Sequence, residues 1–242
     1  MYKRQVSNLS FLPVNENNLV YKAARLLQEE FALTDGISVK LTKRIPVAAG
    51  MAGGSTDAAA MLYAMNQLYD LGLSRRELMK RGVQIGADVP YCLMRGTALA
   101  EGIGEKLTQL PPMIKCPVLI AKPSISVSTK FVYQNLKLDE QTNHPDIDAL
   151  MKDIREKDFD GVCAHMGNVL ESVTIPNYPV IAEIKQQMMR SGAKASMMSG
   201  SGPTVFGLFE DGETAKRALR EMKRSGLAKQ VYLTSIYNNA RK

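Results

Sequence analysis

Eleven residues, PVAAGMAGGST (Pro46–Thr56), join two regular stretches and carry almost no side chain. Upstream, Ile37, Val39 and Leu41 alternate with Ser38, Lys40 and Thr42, the pattern of a half-buried strand. Downstream, an alanine run leads into Leu62, Met65 and Tyr69, a helical stretch that ends near Gly72. Gly50, Gly53 and Gly54 lack Cβ, so the main chain between strand and helix can take φ > 0 and approach a ligand closely. Ser55 or Thr56 can cap the helix, whose first N–H groups and dipole favour an anion. Such a nest of amides suits phosphate. The alternative is a strand-to-helix turn whose glycines only relieve strain, and composition does not separate the two. Neither common nucleotide motif applies. Walker A needs a lysine where Gly54 stands, and GxGxxG fails at Ala52.

The rest of the chain frames this loop with mixed α and β elements. Asn15–Asn18 precede an amphipathic stretch carrying Leu19, Ala23, Leu26, Leu27 and Phe31, which predicts a helix. Ser74 and Glu77 have capping-box spacing for a third helix running to about Gly82–Gly86. Val89, preceding Pro90, is expected to be extended, with Asp88 a turn or cap residue. Beyond LTQLPPMIKCP the texture changes, and two domains are expected, 1–112 and 113–242. In the second, PVLIA reads as a strand, VSTKFVYQNL as a helix, and the end as strand TVFGLF, helix ETAKRALREMKRSG, strand QVYLTSI. That order suits an α+β fold with helices on an antiparallel sheet.

Several function classes recede on composition. No apolar run approaches the ~20 residues of a membrane span, and MYKRQVSNLS has no apolar core of a secretory signal. Cys92, Cys116 and Cys163 are far apart and in no CxxC pair, which argues for a reducing, cytoplasmic setting and against a disulfide framework or zinc. Two histidines, His144 and His165, make a histidine-built metal centre unlooked-for, and no protein metal ligand is expected. The +7 net charge raises nucleic-acid binding. The basic residues, however, interleave with acidic ones, as in KDIREKD, and no aromatic base-stacking motif is present. A small anionic substrate fits the charge equally well. Met188, Met189, Met197 and Met198 read as core filler.

PVAAGMAGGSTDAAA resembles the second signature of the GHMP kinases, P-x-x-x-G-L-G-S-S-A-A. Its doubled glycine is similar to one branch of that family, acting on a cytidine-diphosphate-linked polyol in the non-mevalonate isoprenoid route. Three further stretches agree in order: ENNLVYKAARLL (16–27), IGADVPYCLMRGTALAEGIGEKL (85–107) and MMSGSGPTVFGLF (197–209), the last resembling the third signature. The resemblance implies a two-domain α+β fold. Its amino-terminal part is ribosomal S5 domain 2-like and lacks its first strands, and its carboxy-terminal domain is ferredoxin-like. It also implies ATP and Mg²⁺ and a small-molecule alcohol as phosphate acceptor.

Residue by residue, the resemblance places the triphosphate against Pro46, Val47, Ala48, Ala49, Gly50, Met51, Ala52, Gly53, Gly54, Ser55 and Thr56, and adenine against Lys43 and Asn18. Asp88 falls at the family's catalytic aspartate, which takes or polarises the proton of the attacking alcohol. Thr129, Tyr133, Ser199, Gly200, Ser201 and Gly202 fall at substrate contacts, with an aromatic at 133 stacking on cytosine. Ala48, Ala49 and Ala52 stand where glycine is usual, which narrows the φ available to the loop.

The family begins with a strand carrying a lysine that pairs with the catalytic aspartate, then a Gly-Tyr-His segment. Neither is found, and Lys3 sits in no matching context. The sequence is therefore expected to be an incomplete record with MYKRQ extraneous, binding ATP weakly and turning over poorly or not at all. A good start site at Met1 with an in-frame stop just upstream would sink this expectation. A sibling kinase for homoserine, mevalonate or a sugar, a nucleotide-binding remnant and a basic nucleic-acid module remain alternatives.

Overall fold

The computed structural model describes residues 4–139 and 144–238; Lys3 lies outside them. The chain divides into two compact units, Met1–Val47 with Ala52–Gln109, and Ala48–Met51 with Leu110–Lys242.

The first unit is built on helices. Leu19–Glu30 forms α1, Gly53–Leu68 α2, Arg75–Gly82 α3 and Val89–Met94 α4. The apolar faces of α1 (Val20, Ala23, Ala24, Leu27) and α2 (Ala58, Ala59, Leu62, Met65) pack together, closed by Leu78, Val89 and Leu93. Alanines on both faces let the backbones approach, while Leu27 and Leu62 are fully buried. The capping box at Ser74 and Glu77 forms as the sequence predicts. Arg4–Ser7, which the sequence did not mark as structural, is strand β1, paired in parallel with β2 (Ser38–Leu41). Strands β3 (Ala98–Glu101) and β4 (Lys106–Gln109) form an antiparallel hairpin. Val89 is the first residue of α4 rather than extended, because proline is tolerated in a helix's first turn, where no backbone donor is required.

The second unit is a four-stranded antiparallel sheet with helices against it. Its elements are β5 (Pro117–Lys122), α5 (Thr129–Asn135), α6 (Ile147–Glu156), α7 (Phe159–His165), α8 (Glu171–Asn177), α9 (Val180–Arg190), β6 (Ala195–Met198), β7 (Val205–Leu208), α10 (Gly212–Ser225) and β8 (Gln230–Ser235). Strand order β6-β7-β5-β8, with α9 and α10 as the crossovers, is the ferredoxin-like arrangement. One sheet face (Leu119, Val205) buries against Ile181, Ile184 and Met188 of α9 and Ala215, Ala218 and Met222 of α10. Met188 and Met198 are core residues, but Met189 is 47% exposed on the outer side of α9, because helical spacing turns neighbours apart. Asp211 caps α10 by accepting the N–H groups of Glu213 and Thr214 at 2.9 Å. Among the described residues no helix is long and apolar enough to cross a membrane.

One ion pair in this unit responds to pH. The Nδ1 of His165, at the end of α7, lies 2.6 Å from Asp153 Oδ2 on α6. That hydrogen bond holds the imidazole pKa above its ordinary 6.5. A group whose folded pKa is raised contributes stability that is full below the unfolded value and fades as pH climbs through the folded one. The His165→Gln variant should therefore lose thermal stability relative to the parent below pH 6.5, and the gap should close in mildly alkaline buffer. Melting curves at the two pH values check this.

Candidate active site

In the first unit the strand-to-helix passage exposes main-chain donors. The N-cap of α2 is Ala52, at φ 47° and ψ 27°, and it offers no side-chain cap. Ser55 and Thr56, expected as capping residues, instead lie within the first turns of the helix. Thr56 bonds back to the Ala52 carbonyl through both its N–H (2.8 Å) and its hydroxyl (3.0 Å). Among the described residues the amides of Gly53, Gly54 and Ser55 find no acceptor. Three open N–H groups at the positive end of a 16-residue helix are an anion site in waiting. Cys92, on α4, sits with its sulfur 3.4 Å from the Thr56 hydroxyl, and burial pushes its thiol pKa up. A thiol held protonated is a packing neighbour rather than a nucleophile.

Asp88 precedes α4 in the N-cap position but does not cap it. Its backbone is helical (φ −82°, ψ −11°) rather than extended, so the carboxylate is turned away from the first-turn amides. Among the described residues the exposed side chain makes no hydrogen bond or ion pair. An aspartate placed by a rigid helix and left unspent is available to a ligand.

The two residues expected to meet adenine are less exposed than their types suggest. Asn18 is 7% exposed and caps α1: its Oδ1 accepts the Val20 N–H at 2.9 Å and its Nδ2 donates to the Pro13 carbonyl at 2.7 Å. Each end of the amide thus makes one hydrogen bond, with a second N–H and a second lone pair remaining. Lys43 has a side chain only 4% exposed, with Nζ 2.5 Å from Asp57 Oδ2.

In the second unit the small-residue turn after β6 is held from several sides. Gly200 and Gly202 take φ 55° and 87°. Asn168 donates to the carbonyls of Met198 (2.9 Å) and Gly200 (2.8 Å), and Glu171 accepts the Met198 N–H at 2.8 Å. Ser201, buried, bonds through its hydroxyl to that of Thr129 at 2.8 Å. Ser199 donates its hydroxyl to the Gly50 carbonyl at 2.7 Å. Gly50 has φ 65°, and a Cβ there would lie 2.3 Å from the Ser199 carbonyl oxygen. Ala48, at φ 51°, adopts the left-handed conformation despite its methyl group. Tyr133 lies on the outer face of α5, 61% exposed, while its neighbour Val132 is buried.

Thr129 and Ser201 are thus brought together by the structure, as are Gly50 and Ser199. Asn8 and Asp57, which hold Lys43, and Asn168 and Glu171, which hold the turn after β6, carry no role in the sequence reading. Only Asp57 carried a signal, as a carboxylate one turn beyond the glycines. The others act across long sequence separations.

The sequence matches the GHMP kinase amino-terminal domain over residues 18–96 and the GHMP kinase carboxy-terminal domain over residues 150–228. The chain belongs to the GHMP kinases. It is 58% identical to the 4-diphosphocytidyl-2-C-methyl-D-erythritol kinase of Lachnospira eligens, over 96% of this chain and 80% of that one. It is 54% identical to the enzyme of the same name from Lachnoclostridium phytofermentans, over the same shares. A crystal structure of 4-(cytidine 5'-diphospho)-2C-methyl-D-erythritol kinase superposes with a TM-score of 0.81 at 29% identity, covering 97% of this chain and 81% of that one. A homoserine kinase from Cytophaga hutchinsonii superposes with a TM-score of 0.84 at 22% identity, covering 98% and 82%. That second likeness speaks for the fold alone.

Proposed function

We propose that this chain is an ATP-dependent kinase that phosphorylates the 2-hydroxyl of 4-diphosphocytidyl-2-C-methyl-D-erythritol, in the non-mevalonate route to isoprenoid precursors. One observation carries the substrate: relatives at 58% and 54% identity over 96% of the chain bear that enzyme's name. GHMP kinases use ATP, and the open amides of Gly53, Gly54 and Ser55 fit a polyphosphate. The Pro46–Thr56 segment, with Lys43 and Asn18, binds the nucleotide; Thr129, Tyr133 and Ser199–Gly202 bind the acceptor.

Phosphoryl transfer asks mainly for alignment and charge neutralisation. The Asp88 carboxylate takes the hydroxyl proton as the oxygen bonds to the γ-phosphorus. The bond from that phosphorus to the bridging oxygen breaks, and ADP leaves with the electron pair. Mg²⁺ neutralises phosphate charge when bound. Among the described residues no group of three or more His, Cys, Asp or Glu could hold it, so the nucleotide and water would supply most of its ligands, with the Ser55 hydroxyl at hand. Three free cysteines suit a cytoplasmic enzyme.

The test is ADP release by this chain with each candidate alcohol: the cytidine diphosphate substrate, homoserine, mevalonate and galactose. ADP release is expected with the first alone. Turnover of another alcohol in its place overturns the reading.

A further inference from the structure

Lys43 is pinned at both ends. The Asn8 side chain grips its backbone, accepting the Lys43 N–H at 2.7 Å and donating to the Lys43 carbonyl at 3.2 Å. Its ammonium meets Asp57 at 2.5 Å, with the two side chains 4% and 21% exposed. The ammonium lies alongside the first residue of α2: a Cβ on Gly53 would stand 2.9 Å from Nζ and 2.8 Å from Ile45 Cγ2. Asp57 sits one turn further along α2, and helix side chains lean toward the amino terminus, so its carboxylate reaches back to this point.

Two features distinguish the pair from a structural salt bridge. An ammonium has three N–H donors, yet among the described residues Asp57 is its one hydrogen-bond partner. Lys122, by contrast, spends its donors on the carbonyls of Pro123 (3.3 Å) and Ile125 (3.2 Å). Leaving buried donors unmatched is costly. A cation at the positive end of a helix is also poorly placed unless an acceptor or anion joins it. Both costs are relieved if the missing acceptor arrives with a ligand.

We infer that Asp57 is a positioning residue for nucleotide binding: its carboxylate holds the buried Lys43 ammonium at the start of α2, with its remaining donors directed to an acceptor atom of the nucleotide. This rests on the kinase reading above. Asp57 itself touches no substrate and acts only through Lys43. Its charge also offsets the ammonium, so the unliganded site does not bury a lone cation.

The test is calorimetric titration of the whole chain with a non-hydrolysable ATP analogue, alongside melting curves. Asp57→Asn keeps the shape but not the charge and should weaken binding about 10–100-fold, the worth of one charge-assisted hydrogen bond. Lys43→Met should weaken it similarly, and the double variant Lys43→Met/Asp57→Asn should bind no worse than Lys43→Met. A merely structural role would lower the melting temperature without this non-additivity. Parent-like affinity in Asp57→Asn, or a loss that adds in full to that of Lys43→Met, overturns the inference. If Asp57→Asn does not fold, Lys43→Met against the double variant, which leaves no unpaired charge, decides by the same criterion. Failure of the parent chain to bind the analogue overturns instead the kinase reading beneath it.

Discussion

Asp88→Asn is expected to lower phosphoryl transfer by about 10²–10⁴-fold, the usual worth of a positioned acid or base, while melting temperature and ATP-analogue affinity stay at parent values. The separation follows from the surroundings of Asp88. It is exposed, it bonds to no first-turn amide of α4, and no cation pairs with it among the described residues. Nothing in the fold is therefore lost when its charge goes. Many aspartates before a helix would behave differently, since removing a cap costs stability. Asp211, which accepts two amides of α10, supplies the contrast: Asp211→Ala removes that acceptor and should lower the melting temperature while leaving turnover alone. Steady-state rates and melting curves on the two variants test both halves. An Asp88→Asn enzyme within a few-fold of the parent would remove Asp88 from the chemistry, and a large fall in its stability would assign it a structural role.

Gly50→Ala carries the largest expected structural effect. At φ 65° alanine is strained by about 1–2 kcal/mol, and here the new methyl would also lie 2.3 Å from the Ser199 carbonyl oxygen and 3.0 Å from that of Gly202. Both obstacles are backbone atoms, and the turn that carries them is tied down by Asn168 and Glu171. The segment must shift, breaking the Ser199–Gly50 hydrogen bond. A displacement of this size in a substrate-positioning segment costs about 10²-fold in kcat/KM, together with a fall in melting temperature. Ala48→Gly should move the other way, since Ala48 already takes φ 51°: the strain it relieves is worth up to about 1 kcal/mol, less the flexibility added to the unfolded chain. If Gly50→Ala melts and turns over like the parent, the contact with Ser199 does not constrain the loop.

Local rules explain how much of this was legible in advance. Alternation at Ile37, Val39 and Leu41 predicts β2, and the alanine-rich run predicts α2, because each pattern reports which side chains one element must bury. The Ser74–Glu77 box is also a short-range feature. The β3–β4 hairpin was not read, since its strands have four residues each and no clear alternation. The helical start at Val89 was missed because the restriction on a pre-proline residue is weaker than the tolerance of a helix's first turn for proline.

The site divides in the same way. Small residues at 50–56, the alanine run and the carboxylate at 88 are written in the chain, and with the other matched stretches they carried the family. That Lys43 is a buried ion-pair partner rather than a solvated neighbour of Arg44 could not be read there. It depends on Asn8 and Asp57, 35 and 14 residues away, being brought to one place. The same holds for Asp88, whose residue type suggests a cap and whose backbone angles make it a free carboxylate. Short-range patterns declare which groups a segment can offer. Which of those groups are already satisfied by other protein atoms, and which are left for a ligand, is settled when distant segments pack and compete for the same hydrogen bonds.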